Sequence, residues 1–234
     1  MKVNILHVLC EGHTEMKFAQ HVLKPYLADW GIVVKAAIVT TNDKLGQQGG
    51  ILNFAHIERD IRTLLSATEQ ESYAHHLVTT MVDLYALPTS FPGMADDQGQ
   101  APLYDRVAKL ERAWAQTIDH PRFLPYLQVH EFEALLFCGI PYLAEYFPIC
   151  SHLERDLNAV LSRYENPEHI DGGRHTAPCK RIAGLVEGQR KYKYNKPRVA
   201  EYVTSRVGID RLRECCPHFN QWMERLLNWA QHQE

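Results

Sequence analysis

The sequence lacks long apolar runs and paired cysteines. No stretch approaches the roughly 18 consecutive apolar residues that a membrane helix needs, and the N-terminus shows no charged-then-apolar signal with a cleavage site. The six cysteines form no C-x-x-C pair, and the 13 histidines lack zinc-finger spacing. We therefore predict a cytoplasmic protein with reduced thiols in its core and no structural zinc.

The chain also lacks a strong excess of either charge. Its 25 Lys and Arg residues and 28 Asp and Glu residues give a net charge of −3, so nucleic acid could be attracted only by a local patch. The glycine-rich stretch 46–50 is not followed by Lys-Ser, which argues against a nucleotide-hydrolysing enzyme or phosphotransferase of the P-loop type.

Apolar runs of strand length alternate with stretches of helical periodicity in the first part of the chain. The first helix has Thr14 as its expected N-cap and Gly31 as its expected stop. Strands are predicted at 3–11, 32–40, 76–85 and 126–129, and helices at 14–30, 54–65, 103–118 and from 132 onward. This order predicts an α/β fold with a mostly parallel sheet that is covered by helices on both faces.

Beyond Gly139 the pattern is helical only. We predict residues 1–138 to form the α/β domain and residues 139–234 to form a helical extension packed on it. The predicted helices of this extension are 141–146, 153–164, 178–186, 197–207 and 219–229.

Three of the predicted strands end in acidic residues. Because parallel strands build their sites at their carboxyl ends, these acids are expected to converge there. Any one of them alone would more simply cap a helix, but clustered carboxylates repel unless a cation offsets their charge. Oxygen ligands suit Mg²⁺ or Mn²⁺, which can activate water against a phosphodiester. The predicted metal ligands are Glu11, Asp83, Glu131 and Glu133, with Glu15 in support.

The strand that enters a helix through Glu11-Gly12-His13-Thr14-Glu15 resembles the opening motif of the Toprim fold. This fold is the acidic metal-binding domain of topoisomerases, primases and nucleases of the overcoming-lysogenization-defect type. The chain resembles, nearly end to end, a bacterial Toprim-like family known as domain of unknown function 4276, and its His-Glu-Phe-Glu run is similar to a motif of RloB-type proteins. The segments that carry this resemblance are 81–85, 90–93, 130–137, 176–181 and 216–219.

The resemblance implies a metal-dependent nuclease for DNA or RNA, active in phage defence beside an ATPase of the ABC or AAA type. Glu11 matches the Toprim glutamate, and Asp83 matches the first acid of the Asp-x-Asp pair. Tyr85 stands at the second position, where a phenol is a poor Mg²⁺ ligand. Either Glu131 or Glu133 supplies the missing charge, or the site is weakened. The expected catalytic residues are Glu11, Asp83 and Glu131; the alternative is a non-catalytic effector or subunit that binds an ATPase or nucleic acid.

The stretch 190–198 contains five cations, two tyrosines and no acid. Cations give affinity for phosphates, and tyrosines can stack on bases, although a solvated loop would be the simpler interpretation without the acids. His130 is expected to support the site by orienting a carboxylate or assisting proton transfer. The predicted nucleic-acid contacts are Lys180, Arg181, Arg190, Lys191, Lys193, Lys196 and Arg198.

Overall fold

The structure is a computed structural model. It describes residues 2–42, 47–48, 53–85, 87–97, 99–170, 173, 175–187 and 193–232. Two predicted nucleic-acid contacts, Arg190 and Lys191, lie outside the described residues. Among the helices that are described, none combines the length and the apolar composition that a membrane crossing requires.

Five strands form one parallel sheet, which confirms the predicted α/β fold with a mostly parallel sheet. These five are β1 (Val3–Cys10), β2 (Ile32–Ile38), β5 (Ala74–Asp83), β6 (Phe123–Leu124) and β7 (Leu127–Gln128), and a separate two-stranded sheet contains β3 (Thr40–Asn42) and β4 (Gln47–Gln48). The sheet order is β2-β1-β5-β6, and β7 also pairs with β5. All of these pairings are parallel, whereas β3 and β4 pair with each other in antiparallel fashion.

Helices precede or follow every long strand. They are α1 (His13–Phe18), α2 (Lys24–Ala28), α3 (Phe54–Ala67), α4 (Leu103–Ile118), α5 (Ile140–Tyr146), α6 (Leu153–Leu161), α7 (Pro178–Glu187), α8 (Lys196–Val207), α9 (Ile209–Cys215) and α10 (Pro217–Gln231). A π-helical turn (Ala19–Leu23) joins α1 to α2, and 3₁₀ helices cover Met94–Asp96, Phe132–Gly139 and Pro167–His169. The predicted helices are confirmed within a few residues at their ends, whereas the short helix α9 was not predicted.

The prediction that Thr14 caps the first helix is wrong. The cap is Gly12, and Thr14 is buried inside α1. Gly12 N–H donates to Glu15 Oε2 at 2.9 Å, so a side chain of the first turn provides a hydrogen-bond acceptor for the N–H group of the capping residue. The predicted stop is confirmed, because Gly31 adopts a φ of 70° just after α2 and donates to Ala28 O at 3.0 Å.

Successive residues of each strand face opposite sides of the sheet and build two cores. On one side, Leu6 and Met81 pack in a cluster that also contains buried residues of α1, α5, α8 and α10, such as Phe219. On the other side, Leu9 and Val82 pack against α3 and α4. The helices after residue 139 therefore share a core with the first helix, while the division at residue 138 stays a prediction.

Gly139 allows the Phe132–Gly139 helix to approach α8 closely. A Cβ atom at this position would collide with Val207 Cγ2 and lie 2.9 Å from Val203 Cγ1. We predict that Gly139→Ala lowers the free energy of unfolding by about 1–3 kcal/mol, because the packed core cannot easily yield. Urea denaturation measures this change.

The matched control is Gly184→Ala in α7, where an added Cβ meets nothing within 4 Å. It should be neutral or stabilising by up to about 1 kcal/mol, because alanine is the better helix former. Equal effects of the two substitutions would contradict the close approach at Gly139.

Candidate functional site

Glu11 lies directly after β1 and is held across to β5. Its backbone N–H donates to Met81 O at 3.0 Å, which continues the parallel pairing one residue beyond Cys10. Its carboxylate Oε2 in turn accepts a hydrogen bond from Asp83 N–H at 3.0 Å. The ends of two neighbouring parallel strands thereby bring Glu11 and Asp83 together at the carboxyl edge of the sheet.

Asp83 connects this pair to the segment after β7. Its Oδ1 accepts a hydrogen bond from Phe132 N–H at 2.9 Å, between the two acids of the His-Glu-Phe-Glu run. Tyr85 N–H donates to His130 O at 2.8 Å, and His130 has a φ of 56°, in the left-handed region that few residues other than glycine adopt. This turn places Glu131 and Glu133 on either side of Phe132, whose N–H group is bonded to Asp83 at the end of β5.

Glu131 is held by the first turn of α7. Cys179 N–H donates to Glu131 Oε2 at 3.1 Å, and Cys179 Sγ donates to Glu131 Oε1 at 3.3 Å. The start of a helix favours a carboxylate because its free N–H groups and its dipole both point at the anion. The sequence predicts Cys179 only as a reduced core thiol. Its place in the 176–181 segment, immediately after Pro178, is the signal in the sequence that points to the site.

Glu133 is paired with a lysine. Lys196 Nζ lies 3.1 Å from Glu133 Oε1, with the glutamate buried and the lysine half exposed. Burial lowers the pKa of Lys196, but the charges of Glu133 and its neighbours raise it above its usual value. The structure therefore places Lys196, a predicted nucleic-acid contact, against an acid of the candidate site.

Burial and mutual repulsion set the charge state of this acidic cluster. Burial raises the pKa of Asp83 well above its usual range, and the charges of Glu11 and Glu15 raise it further. Burial also raises the pKa values of Glu11 and Glu133, and it brings that of Glu15 to about 7. Each carboxylate disfavours ionisation of the others, so a cation that entered the cluster would stabilise the folded chain.

The ligand atoms closest to one another belong to Glu131, Glu133 and Cys179, which lie within 4.8 Å of one another. Within the described part of the chain, no trio that includes Glu11 or Asp83 is equally close. The four predicted metal ligands thus divide into two groups. Glu11 and Asp83 form one group, and Glu131 and Glu133 form the other with Cys179.

The other described residues that were predicted to contact nucleic acid are either hydrogen-bonded within the protein or exposed to solvent. Arg181 donates to Thr176 O at 2.6 Å and to the Tyr164 hydroxyl at 2.9 Å, so its guanidinium braces the loop before α7. Three other predicted contacts are exposed: Lys180, Lys193 and Arg198.

An open parallel sheet whose carboxyl edge gathers five carboxylates defines an α/β protein with a candidate cation site. The chain belongs to the family described as a domain of unknown function (DUF4276), whose model matches residues 10–227. No curated protein and no solved structure gave a significant match. Family membership therefore assigns no activity.

Glu15 provides a test of the buried charge. The pKa of this carboxyl is about 7 in the folded chain against an ordinary 4.5, so the unfolded chain binds fewer protons between these values. We predict that the metal-free wild type loses stability as pH rises from about 4.5 to about 7. Glu15→Gln removes up to roughly 3 kcal/mol of this loss. Urea unfolding in chelator-containing buffers across this range measures it.

The control, Glu201→Gln, should act in the opposite direction. Lys17 lowers the pKa of Glu201, so the ionised carboxylate stabilises the folded wild type. At pH values above the ordinary pKa of a glutamate, Glu201→Gln is therefore less stable than the wild type. A pH dependence that is identical in wild type and Glu15→Gln would contradict the buried charge at this position.

Proposed function

We propose that this chain is a divalent-metal-dependent nuclease of the Toprim type that hydrolyses phosphodiesters of DNA or RNA. The observation that carries the proposal is the pair of hydrogen bonds from Asp83 N–H to Glu11 and from Phe132 N–H to Asp83. They join Glu11 and Asp83, which lie at two neighbouring strand ends, and they attach Asp83 to the backbone between Glu131 and Glu133. A glutamate and an aspartate at neighbouring strand ends are what the Toprim resemblance implies, and relationships to that fold and to RloB-type proteins are part of the proposal.

The residues fit Mg²⁺ or Mn²⁺ by charge and by ligand type. Glu11 Oε1 and Asp83 Oδ2 receive no hydrogen bond from any described residue, so each acid keeps one oxygen for a cation. Glu131 and Glu133 add negative charge, which the helix start at Cys179 and the ammonium of Lys196 offset in part. When bound, such an ion would supply an activated water and stabilise charge on the phosphate.

The chain's own groups would orient and exchange protons. Asp83 N–H fixes the Glu11 carboxylate, and Gly12 N–H fixes that of Glu15. With a pKa of about 7, Glu15 can accept or release a proton at its carboxylate near neutral pH. Glu11, Asp83 and Glu131 are the residues proposed to act on the substrate, with Glu15 and His130 in support.

A basic segment beside the acids supports nucleic acid as the substrate. Exposed Lys193 and Arg198 flank Lys196, whose ammonium reaches Glu133. Cations next to an acidic site would hold the phosphate backbone across it. A role in phage defence beside an ABC-type or AAA-type ATPase belongs to the same proposal and rests on the family resemblance alone. A cytoplasmic location, which the sequence predicts, is also part of the proposal.

The test is cleavage of single-stranded and double-stranded DNA and RNA by the purified chain with Mg²⁺ or Mn²⁺. We expect Glu11→Gln to reduce the cleavage rate by at least about 100-fold, because a ligand or base at the reacting centre is lost. Glu154→Gln, on an exposed turn of α6, is the matched control and should keep the wild-type rate. Equal rates for wild type and Glu11→Gln would remove this residue from the chemistry.

A second candidate is a non-catalytic effector that binds an ATPase or nucleic acid. Tyr85 favours it, because this side chain is 40% exposed and supplies no carboxylate at the second Asp-x-Asp position. If the chain is such an effector, no metal-dependent cleavage of single-stranded or double-stranded DNA or RNA is expected. Binding of nucleic acid or of the ATPase then survives Glu11→Gln unchanged.

A further inference from the structure

The group formed by Glu131, Glu133 and Cys179 differs from the rest of the acidic cluster because it contains sulfur. All three residues are buried, and one ligand atom from each lies within 4.8 Å of the other two. Four-coordinate zinc with bonds of about 2.0–2.3 Å places its ligand atoms roughly 3–4 Å apart. The three side chains therefore need only small rotations to share one ion.

Tyr194 provides an independent indication that something binds here. This side chain is 9% exposed, and its hydroxyl has no hydrogen-bond partner among the described residues. After burial itself, the groups that raise the pKa of Tyr194 are Glu133, Cys179 and Glu131, in that order. A buried hydroxyl without a partner is unfavourable, so its position beside these three residues indicates that a polar or charged group binds here.

The lysine beside the group indicates the charge of that ligand. Lys196 Nζ lies 3.1 Å from Glu133 Oε1, and 45% of the lysine side chain is exposed. The group therefore already attracts a cation, and this cation can move into solvent when another one enters. A thiolate ligand selects the ion further, because sulfur favours zinc and related transition metals over Mg²⁺.

We propose that Glu131, Glu133 and Cys179 form a binding site for a single divalent ion of the zinc and cobalt class, with the Tyr194 hydroxyl hydrogen-bonded to this ligand group. On binding, the Cys179 thiol gives its proton to solvent and coordinates as thiolate, and Lys196 withdraws from Glu133. This site is separate in its chemistry from the Mg²⁺ or Mn²⁺ oxygen ligands Glu11 and Asp83.

Cobalt is the probe for the first experiment, because a thiolate bound to Co²⁺ gives a charge-transfer absorption band that oxygen ligands do not give. We expect the wild-type chain to show this band, and Zn²⁺ but not Mg²⁺ to abolish it by displacement. In Cys179→Ser the band should be lost. Zn²⁺ should bind at least about 10-fold more weakly by calorimetry, because the loss of a direct ligand costs no less than the loss of an outer-shell partner.

The matched control is Cys138→Ser. Cys138 Sγ lies 3.5 Å from Cys216 Sγ, so these two thiols are the competing place for a thiophilic ion. The band and the affinity should survive Cys138→Ser. A band that persists in Cys179→Ser, or that disappears in Cys138→Ser, would overturn the proposal.

X-ray absorption on the zinc-loaded wild type tests the site without any substitution. One sulfur at about 2.3 Å together with oxygen ligands is the expected first shell. No sulfur, or two sulfurs, would overturn the assignment even if Cys179→Ser failed to fold.

The proposed nuclease activity and this site can fail separately. Glu11→Gln should retain the cobalt band, because Glu11 is outside the three-residue group. A wild type that shows the band but never cleaves nucleic acid refutes the nuclease and keeps the site. A wild type that cleaves nucleic acid with Mg²⁺ but shows no cobalt band refutes the site and keeps the nuclease.

Discussion

The site depends on one kind of interaction, the hydrogen bond from a backbone N–H group to a buried carboxylate. Glu11 accepts one from Asp83, Asp83 accepts one from Phe132, and Glu131 accepts one from Cys179. Each N–H donor lies in a different segment of the chain from the carboxylate that accepts its hydrogen bond. Each bond therefore also fixes the position of one segment relative to another. Such bonds are charge-assisted and stronger than neutral ones, which allows like charges to remain together at the end of the sheet.

Both predicted parts of the chain contribute to the cluster. The sheet and its first turns supply Glu11, Asp83 and the His-Glu-Phe-Glu run, whereas α7 and α8 supply Cys179 and Lys196. The helix start at Cys179 and the ammonium of Lys196 are the positive groups that face Glu131 and Glu133. A fragment that ended near residue 138 would keep the acids and lose the groups that balance them.

The sheet and the position of its acids could be predicted because both follow from local patterns. Apolar runs mark β1 and β5, and an acid directly after a parallel strand must lie at the carboxyl edge. The cap at Gly12, the 3₁₀ form of Phe132–Gly139 and the role of Cys179 could not be predicted in this way. The Glu131 contacts of Cys179, for example, join residues 48 positions apart, and no local pattern specifies such a pairing.

The hydrogen bonds of the site also bear on the order in which the chain folds. Their partners are separated by 72 residues for Glu11 and Asp83, by 49 for Asp83 and Phe132, and by 48 for Glu131 and Cys179. Contacts between distant residues form only after the loops between them have closed, and here they also bring like charges together. The apolar cores also join distant residues, such as Leu6 and Phe219, but they bring no like charges together. The acidic cluster should therefore assemble late, as a product of the completed fold and not as its nucleus.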